Sequence, residues 1–403
     1  MLVFIVSLSL IAGIGFFTVS NQYMFREKPQ REQSQPQLEK VEKQNRDDIG
    51  STLCRDTLPA DLLKIYNTID EYAYYNRTQS FWLNGADRQD FDIALEAYLF
   101  DNPQVFWLDT QGAYSYYQDS ENLEVELNFV FQDEELAAAK QTFKDAVEKV
   151  LSLAPDDADD LETEVYFNDY LVEHCQYDAQ GDMCHTAYGA LVDGSAVCDG
   201  YSYAFQLLCN KSGIECTVIE GNSDFNQDDD LSHMWNCVKL DDNWYHVDVT
   251  WNDSNNAKFF CEKYFYLNLN SEEILLDHII YPLYNSADYD GKGDFNIFVP
   301  ECTATELNYL TIYCPVIQNL DDDEAVAASM ISAVNNGEHS CAVVIDPSLP
   351  FKETAETLIY DGYISNWIVY ANRFIDSEHQ IALSSNAYTF EDNHVLVIQL
   401  EYD

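Results

Sequence analysis

The run Val197-Cys198-Asp199-Gly200-Tyr201-Ser202-Tyr203-Ala204-Phe205 sets a cysteine in front of an apolar, helix-spaced stretch. Ser232-His233-Met234-Trp235-Asn236 and then His246-Val247-Asp248-Val249-Thr250-Trp251 follow it along the chain. A thiol, an imidazole and a carboxylate in that order are the parts of a cysteine nucleophile with its base and orienting acid. In that chemistry Cys198 attacks an amide carbonyl. His233 takes the thiol proton and later returns it to the leaving amine, and Asp248 fixes the imidazole tautomer.

Local structure has to aim these groups. Tyr201, Ala204, Phe205 and Leu208 recur at helical spacing, and Lys211-Ser212-Gly213 closes the pattern with a glycine just past the helix end. Cys198 therefore falls at a helix N-terminus, where unpaired amides and the positive dipole end favour thiolate over thiol and could hold a developing oxyanion. Gly200 and Ser202 would leave room for a substrate beside the sulfur. His233 and Asp248 fall on consecutive strands, Ser232–Leu240 and Asn243–Trp251, joined by Asp241-Asp242. With that two-residue turn Leu240 pairs with Asn243, Trp235 opposes Asp248, and Thr250 opposes His233. His233 and Asp248 become diagonal neighbours on one face, shared with Trp235, Trp244 and His246; a one-residue slip would part them.

These three blocks, V-C-x-G-Y-[AS]-x-A-F, H-x-W-N and W-Y-H-V-D-x-T-W, resemble the core of transglutaminase-like superfamily cysteine enzymes in their bacterial, exported form. The likeness is strongest over about 185–252. It extends upstream through Asp169-Tyr170-Leu171 and Tyr177-Asp178, and downstream through Tyr264-Phe265-Tyr266-Leu267 and the Ser271–His278 stretch. It implies an α+β fold: a papain-like, transglutaminase-like core with a nucleophile helix on an antiparallel sheet, and flanking N- and C-terminal α/β domains. It also implies a thioester intermediate made from a peptide or glutamine-side-chain amide. Met234 and Ala196 stand where smaller residues are usual in the family, which would narrow the cleft.

The 403 residues carry 71 acidic against 20 basic side chains, a net charge of −51. Such a surface repels phosphate backbones, so nucleic acid is a poor candidate partner, and the acidity reads as solubility or adaptation to a salty medium; the protein or peptide substrate is what the resemblance implies. Residues 1–20 bear no charge and read as a signal peptide or membrane anchor, although Arg26, Lys28 and Arg31 follow rather than precede them. Export to the cell surface or medium is the expectation, with membrane association through this segment. Residues 21–50 read as a disordered linker. Beyond it, 51–155 reads as an α/β accessory domain, 156–288 as the catalytic domain and 289–403 as a second α/β domain without a chemical motif. In the last of these, Ala342–Ile345, Trp367–Ala371 and His394–Leu400 read as strands. In the first, Val105-Phe106-Trp107-Leu108 reads as a buried strand, Ala113–Gln118 and Leu123–Phe131 as a hairpin, and Glu134–Leu153 as a long helix.

Eleven cysteines leave ten besides Cys198, an even number that disulfides could use in an oxidising compartment, while Cys209 and Cys237 read as buried thiols. His174-Cys175 and Cys184-His185 lack paired ligand spacing, so no metal and no cofactor is expected. The loop Ser223–Asp230 lacks the pattern of a calcium loop and reads as a solvated turn. Tyr188 is a candidate oxyanion donor or a core tyrosine. A cysteine before a helix or a histidine on a strand is ordinarily packing when it stands alone. Cys198, His233 and Asp248 in this order and register point jointly to acyl transfer or hydrolysis on protein or peptide amides. The alternative is a retired catalytic fold serving as a surface scaffold, with the 28 tyrosines as contact residues.

Overall fold

A computed structural model describes residues 2–6, 24–25, 50–109, 112–119, 122–223, 232–253, 258–280, 297–320 and 323–402. Most of the uncharged run 1–20, the linker and residues 224–230 of the polar loop lie outside these. The chain divides into two compact units, Met1–Thr250 with Asp277–Cys302, and Trp251–Leu276 with Thr303–Asp403. Residues 51–155 fall in the same unit as the motif-bearing segment. Among the described residues no helix is long and apolar enough to cross a membrane.

In the first unit, α1 (Ala60–Tyr74) and α2 (Arg88–Asp101) precede the hairpin β2 (Tyr114–Gln118) and β3 (Asn122–Leu127). Between the two helices β1 (Phe81–Asn84) joins the sheet antiparallel to β3, and the short strand Leu2–Val6 runs antiparallel to β2 on the other side. Asp87 caps α2 in a reciprocal pair with Asp90, which satisfies two orphan amides. The expected strand over Val105–Leu108 does not form. This run is buried but turned, with Leu108 making one bridge to Phe129 and the Trp107 indole N–H donating to Ala73 O. Its apolar continuity reflects burial beneath helices, a state that sequence periodicity does not separate from a buried strand. After α3 (Asp133–Ser152) and α4 (Asp160–His174), the short parallel pair β4 (Gln176–Tyr177) and β5 (Ser195–Ala196) leads directly into α5 (Cys198–Lys211).

Helix α5 ends in a Schellman motif. Gly213, at φ +90°, donates to Asn210 O at 3.2 Å, and Ile214 donates to Cys209 O at 3.0 Å. Tyr201, Ala204, Phe205 and Leu208 are all 0% exposed, and burying each larger one contributes about 2 kcal/mol. The helix packs on a sheet in which β8 (Asn243–Val247), β7 (Ser232–Leu240), β6 (Cys216–Asn222) and β9 (Ile279–Ile280) are neighbours in that order, all antiparallel. Asp241 and Asp242, at φ 48° and 64°, make the two-residue turn between β7 and β8, and Asn243 pairs with Leu240 as the spacing predicts. Strand β8 stops at Val247, however. Val249–Asn252 coils into one helical turn, so Thr250 has no strand partner opposite His233. The alternation in Val-Asp-Val-Thr was compatible with a strand, and two-residue periodicity alone does not register this turn.

The second unit holds β10 (Val316–Ile317), α6 (Asp323–Asn335), β11 (Ser340–Ile345), α7 (Phe351–Tyr360), α8 (Tyr363–Ala371), β12 (Ala387–Phe390) and β13 (Val395–Gln399). The sheet order is β10-β11-β13-β12, with only the first pair parallel. Trp367–Ala371 is helical rather than a strand. Its β-branched and aromatic residues favour a strand locally, but Ile364, Trp367, Ile368 and Ala371 bury one helical stripe in the unit's core.

Candidate active site

Cys198 opens α5 and is 6% exposed. Its sulfur accepts hydrogen bonds from the backbone N–H groups of Met234 and Asp199. The first of these donors is the residue next to His233, so the nucleophile helix and β7 meet at the thiol. Ser202 joins them: its hydroxyl lies 2.8 Å from Cys198 O and 2.9 Å from Met234 O, one proton forked between two carbonyls. Asn236 continues the seam by donating to Ser202 O at 3.0 Å and Thr217 O at 3.2 Å.

The small residues have a different role from the one expected. A Cβ on Gly200 would stand 2.4 Å from Cys184 O and 2.8 Å from the Ala196 side chain. Gly200 therefore allows close packing of the helix start on 184–196, and Ser202 is buried in the seam; neither leaves room for substrate. Gly200 N–H is also occupied, donating to Asp199 Oδ1 at 2.8 Å.

His233 Nε2 lies 2.6 Å from Asp248 Oδ2, the contact that the hairpin register predicts. Asp248 is fully buried, a position that by itself would raise its pKa. The charge and hydrogen bond of His233, followed by those of His278, outweigh burial and hold the carboxyl well below its usual range. With Nε2 directed at Asp248, proton exchange with a thiol would run through Nδ1. The thiol does not rest as a thiolate. Burial pushes the Cys198 pKa far up, and the nearby Asp199 and Asp248 charges add to this beyond what the two backbone N–H groups offset. Burial, and after it the acidic neighbours, work against the thiolate that the helix start alone would favour.

Three site residues had no assigned role in the sequence. His278 Nε2 donates to the same Asp248 oxygen at 3.1 Å, and its Nδ1 lies 2.5 Å from Asp277 Oδ1. Burial alone would lower the His278 pKa; the two carboxylates raise it to about 9. Only its place in the Ser271–His278 stretch pointed to it. His185 pairs with the Asp199 carboxylate at 2.8 Å, a hydrogen bond that raises the imidazole pKa against burial. Tyr177 is half-exposed beside Ala196 on the β4–β5 pair. Its phenol pKa is pushed up to about 12 by burial and then by the charges of Cys198, Asp199 and Asp248. Tyr188 instead packs its partly buried ring with Phe106 and Phe143.

Two buried groups have ligand atoms close enough for an ion: His233 with Asp248 and His278, and Cys237 with His246 and Cys302. In the first, both imidazoles direct Nε2 to one oxygen at hydrogen-bond distance, which is the arrangement of a proton network. All eleven cysteines are free, and Cys209 and Cys237 are buried thiols. His174 stacks on Tyr170, and His185 belongs to the Asp199 pair.

Residues 147–249, which include all three expected catalytic positions, match the family model of the Transglutaminase-like superfamily. The chain is similar to Kyphoscoliosis peptidase of Mus musculus, 26% identical over 167 residues, 37% of this chain and 25% of that protein. It is similar in the same way to Kyphoscoliosis peptidase of Homo sapiens, 27% identical over 166 residues, with the same shares covered. The match thus spans about a quarter of the length of these curated relatives. A solved structure described as a crystal structure of a TGase aligns at 14% identity and TM-score 0.26, covering 36% of this chain and 45% of that one.

Proposed function

We propose, for a chain whose residues 147–249 form a transglutaminase-like core of the cysteine-enzyme kind, that it performs thiol-dependent acyl transfer or hydrolysis on protein or peptide amides. The observation that carries this reading is the 2.6 Å contact between His233 and Asp248, with the Cys198 sulfur bonded to the N–H of the residue next to that histidine. Because the thiol rests protonated, His233 acts as a general base during attack, not as half of a standing ion pair. The Cys198 sulfur bonds the substrate carbonyl carbon as its proton passes to His233. Collapse of the tetrahedral adduct breaks the C–N bond, and the proton leaves with the amine. Water or a second amine then attacks the thioester and releases the thiol. Asp248 holds the imidazole and stabilises its charge at each stage.

Exposure of the thioester to water or to an amine decides between hydrolysis and cross-linking. Export is part of the proposal and rests on the uncharged run 1–20. It requires that the pairing of Leu2–Val6 with Tyr114–Gln118 be absent from the exported form. Protease treatment of intact cells would read this directly.

The decisive experiment labels the folded protein with a mild thiol electrophile at neutral pH. Rapid labelling of Cys198 that collapses in His233→Ala is the expected result. Slow labelling, equal in both proteins, would mean a retired site and a scaffold role. A casein-like acceptor with a fluorescent amine, followed for ammonia and new N-termini, then separates transfer from deamidation and cleavage.

A further inference from the structure

Cys237 and His246 face one another across the β7–β8 hairpin, on the same face as His233 and Asp248 but further along it. Cys237 Sγ lies 3.2 Å from His246 Nδ1 and 3.6 Å from the sulfur of Cys302, which arrives from the C-terminal end of this unit. All three potential ligand atoms fall within 4.8 Å of one another. The residues are 0%, 0% and 1% exposed. Two thiols and an imidazole sealed from water form a soft donor set with no part in the proposed amide chemistry.

We propose that Cys237, His246 and Cys302 form a zinc site, independent of the catalytic thiol. Two thiolates on one tetrahedral zinc stand about 3.7 Å apart, and a thiolate and an imidazole nitrogen about 3.5 Å. The Cys237–Cys302 and Cys237–His246 separations need shifts of only a few tenths of an ångström, and the third pair of ligand atoms lies within 4.8 Å. Hard cations prefer oxygen donors and are poorly served here. Among soft cations, monovalent copper with two thiolates would leave a buried negative charge; divalent zinc with two thiolates and a neutral imidazole sums to zero. Loading forms two Zn–S bonds and one Zn–N bond and releases two thiol protons to solvent. The three side chains leave the fourth position of a tetrahedral zinc to another donor; the Pro300 carbonyl lies 3.9 Å from Cys302 Sγ. Trp235 Nε1–H donates to His246 Nδ1 at 3.1 Å, so on loading that lone pair must pass from the indole to the metal. No short ligand motif announces the site, since His246 and Cys302 follow Cys237 by 9 and 65 residues.

The test uses the full chain with Cys198→Ala, so that the nucleophile cannot contribute, reduced without thiols and freed of metal. Cobalt(II) is the probe. The expected result is one equivalent bound, with a near-ultraviolet thiolate charge-transfer band and tetrahedral visible bands. Zinc should displace it, and adding Cys302→Ser should abolish the thiolate band while the far-ultraviolet circular dichroism stays unchanged. Zinc content of protein isolated from cells should read one per chain, falling to background in Cys302→Ser. Absence of the thiolate band, or its persistence in Cys302→Ser, would overturn the proposal. So would a disulfide-linked Cys237–Cys302 peptide in protein isolated without reductant, which would make the pair a redox link. Because the nucleophile is absent throughout, none of these outcomes bears on the acyl-transfer reading.

Discussion

His278 donates to Asp248 Oδ2 at 3.1 Å, the oxygen that also receives His233 at 2.6 Å. One carboxylate therefore serves two imidazoles, and with a pKa of about 9 His278 is charged at neutral pH. Its hydrogen bond and positive charge, after those of His233, help hold Asp248 ionised. Replacing His278 by Gln preserves a donor but removes the charge. Asp248 then loses one of the charges that hold its carboxyl down, so the acid-side loss of stability in urea titrations should begin at higher pH. His278→Ala, which leaves a buried carboxylate short of a partner, should destabilise the fold by about 3 kcal/mol in denaturant titrations.

The same group makes stability depend on pH. His278 has a folded pKa of about 9, against about 6.5 in an unfolded chain. Its contribution, about 3 kcal/mol at most, is fully present below about pH 6.5 and is lost as pH rises through 9. Asp248 works in the opposite direction. Its depressed folded pKa gives stability that is present above about pH 4 and lost as pH falls. Urea midpoints measured from pH 6 to pH 10 should decline in the wild type and stay flatter in His278→Gln. A wild-type midpoint that does not change over this range would refute the charged assignment.

Much of this was legible in the chain, and the exceptions have physical causes. The turn at Asp241-Asp242 and the alternation on both sides of it determine the register that joins His233 to Asp248, because a slip would turn a buried face outward. The helix after Cys198 announced itself through Tyr201, Ala204, Phe205 and Leu208. By contrast, His278 and Cys302 reach their partners only through tertiary folding, and no local periodicity encodes that approach. The balance of charges at Cys198 is hidden from the sequence for a related reason. A helix start favours thiolate, but the depth of burial and the nearness of Asp248 are properties of the folded site. At Trp367–Ala371 residue preference pointed to a strand, and the buried stripe back to Ile364 determined a helix.

Asp199 is the acidic neighbour whose removal should free the thiol. Its carboxylate is the largest charge effect raising the Cys198 pKa, and it is held by His185 at 2.8 Å and by Gly200 N–H. Asp199→Asn keeps an acceptor for the amide and loses the charge. The thiolate fraction at neutral pH grows as the pKa falls, so labelling of Cys198 should accelerate by about 3- to 10-fold. An unchanged rate across pH 6–9 would show that Asp199 does not govern the sulfur.

Gly221 links the packing to the site. It pairs with His233 across β6–β7, and a Cβ there would stand 2.0 Å from Ile279 O and 2.6 Å from the Trp235 ring. Ile279 follows His278, and the Trp235 ring lies edge-on to His278 with centroids 5.0 Å apart. Gly221→Ala must push β9 or the indole aside, at a cost of about 1–3 kcal/mol. The thermal midpoint should fall, and labelling of Cys198 should slow as His278 and its carboxylate shift. Full stability with full labelling would mean that the strand yields without strain.

Tyr177 tests whether a side chain assists the tetrahedral oxygen. With its pKa near 12 the phenol keeps its proton at neutral pH, and it sits where the charges of Cys198, Asp199 and Asp248 are all felt. A half-exposed hydroxyl at that position can donate to an oxyanion formed on a peptide entering from solvent. Tyr177→Phe removes the donor and leaves the ring beside Ala196. The turnover number should fall about 10- to 100-fold while the rate of electrophile labelling, which needs no oxyanion, stays within twofold. If both rates fall together, the phenol positions the thiol instead; if neither falls, the backbone alone carries the oxyanion.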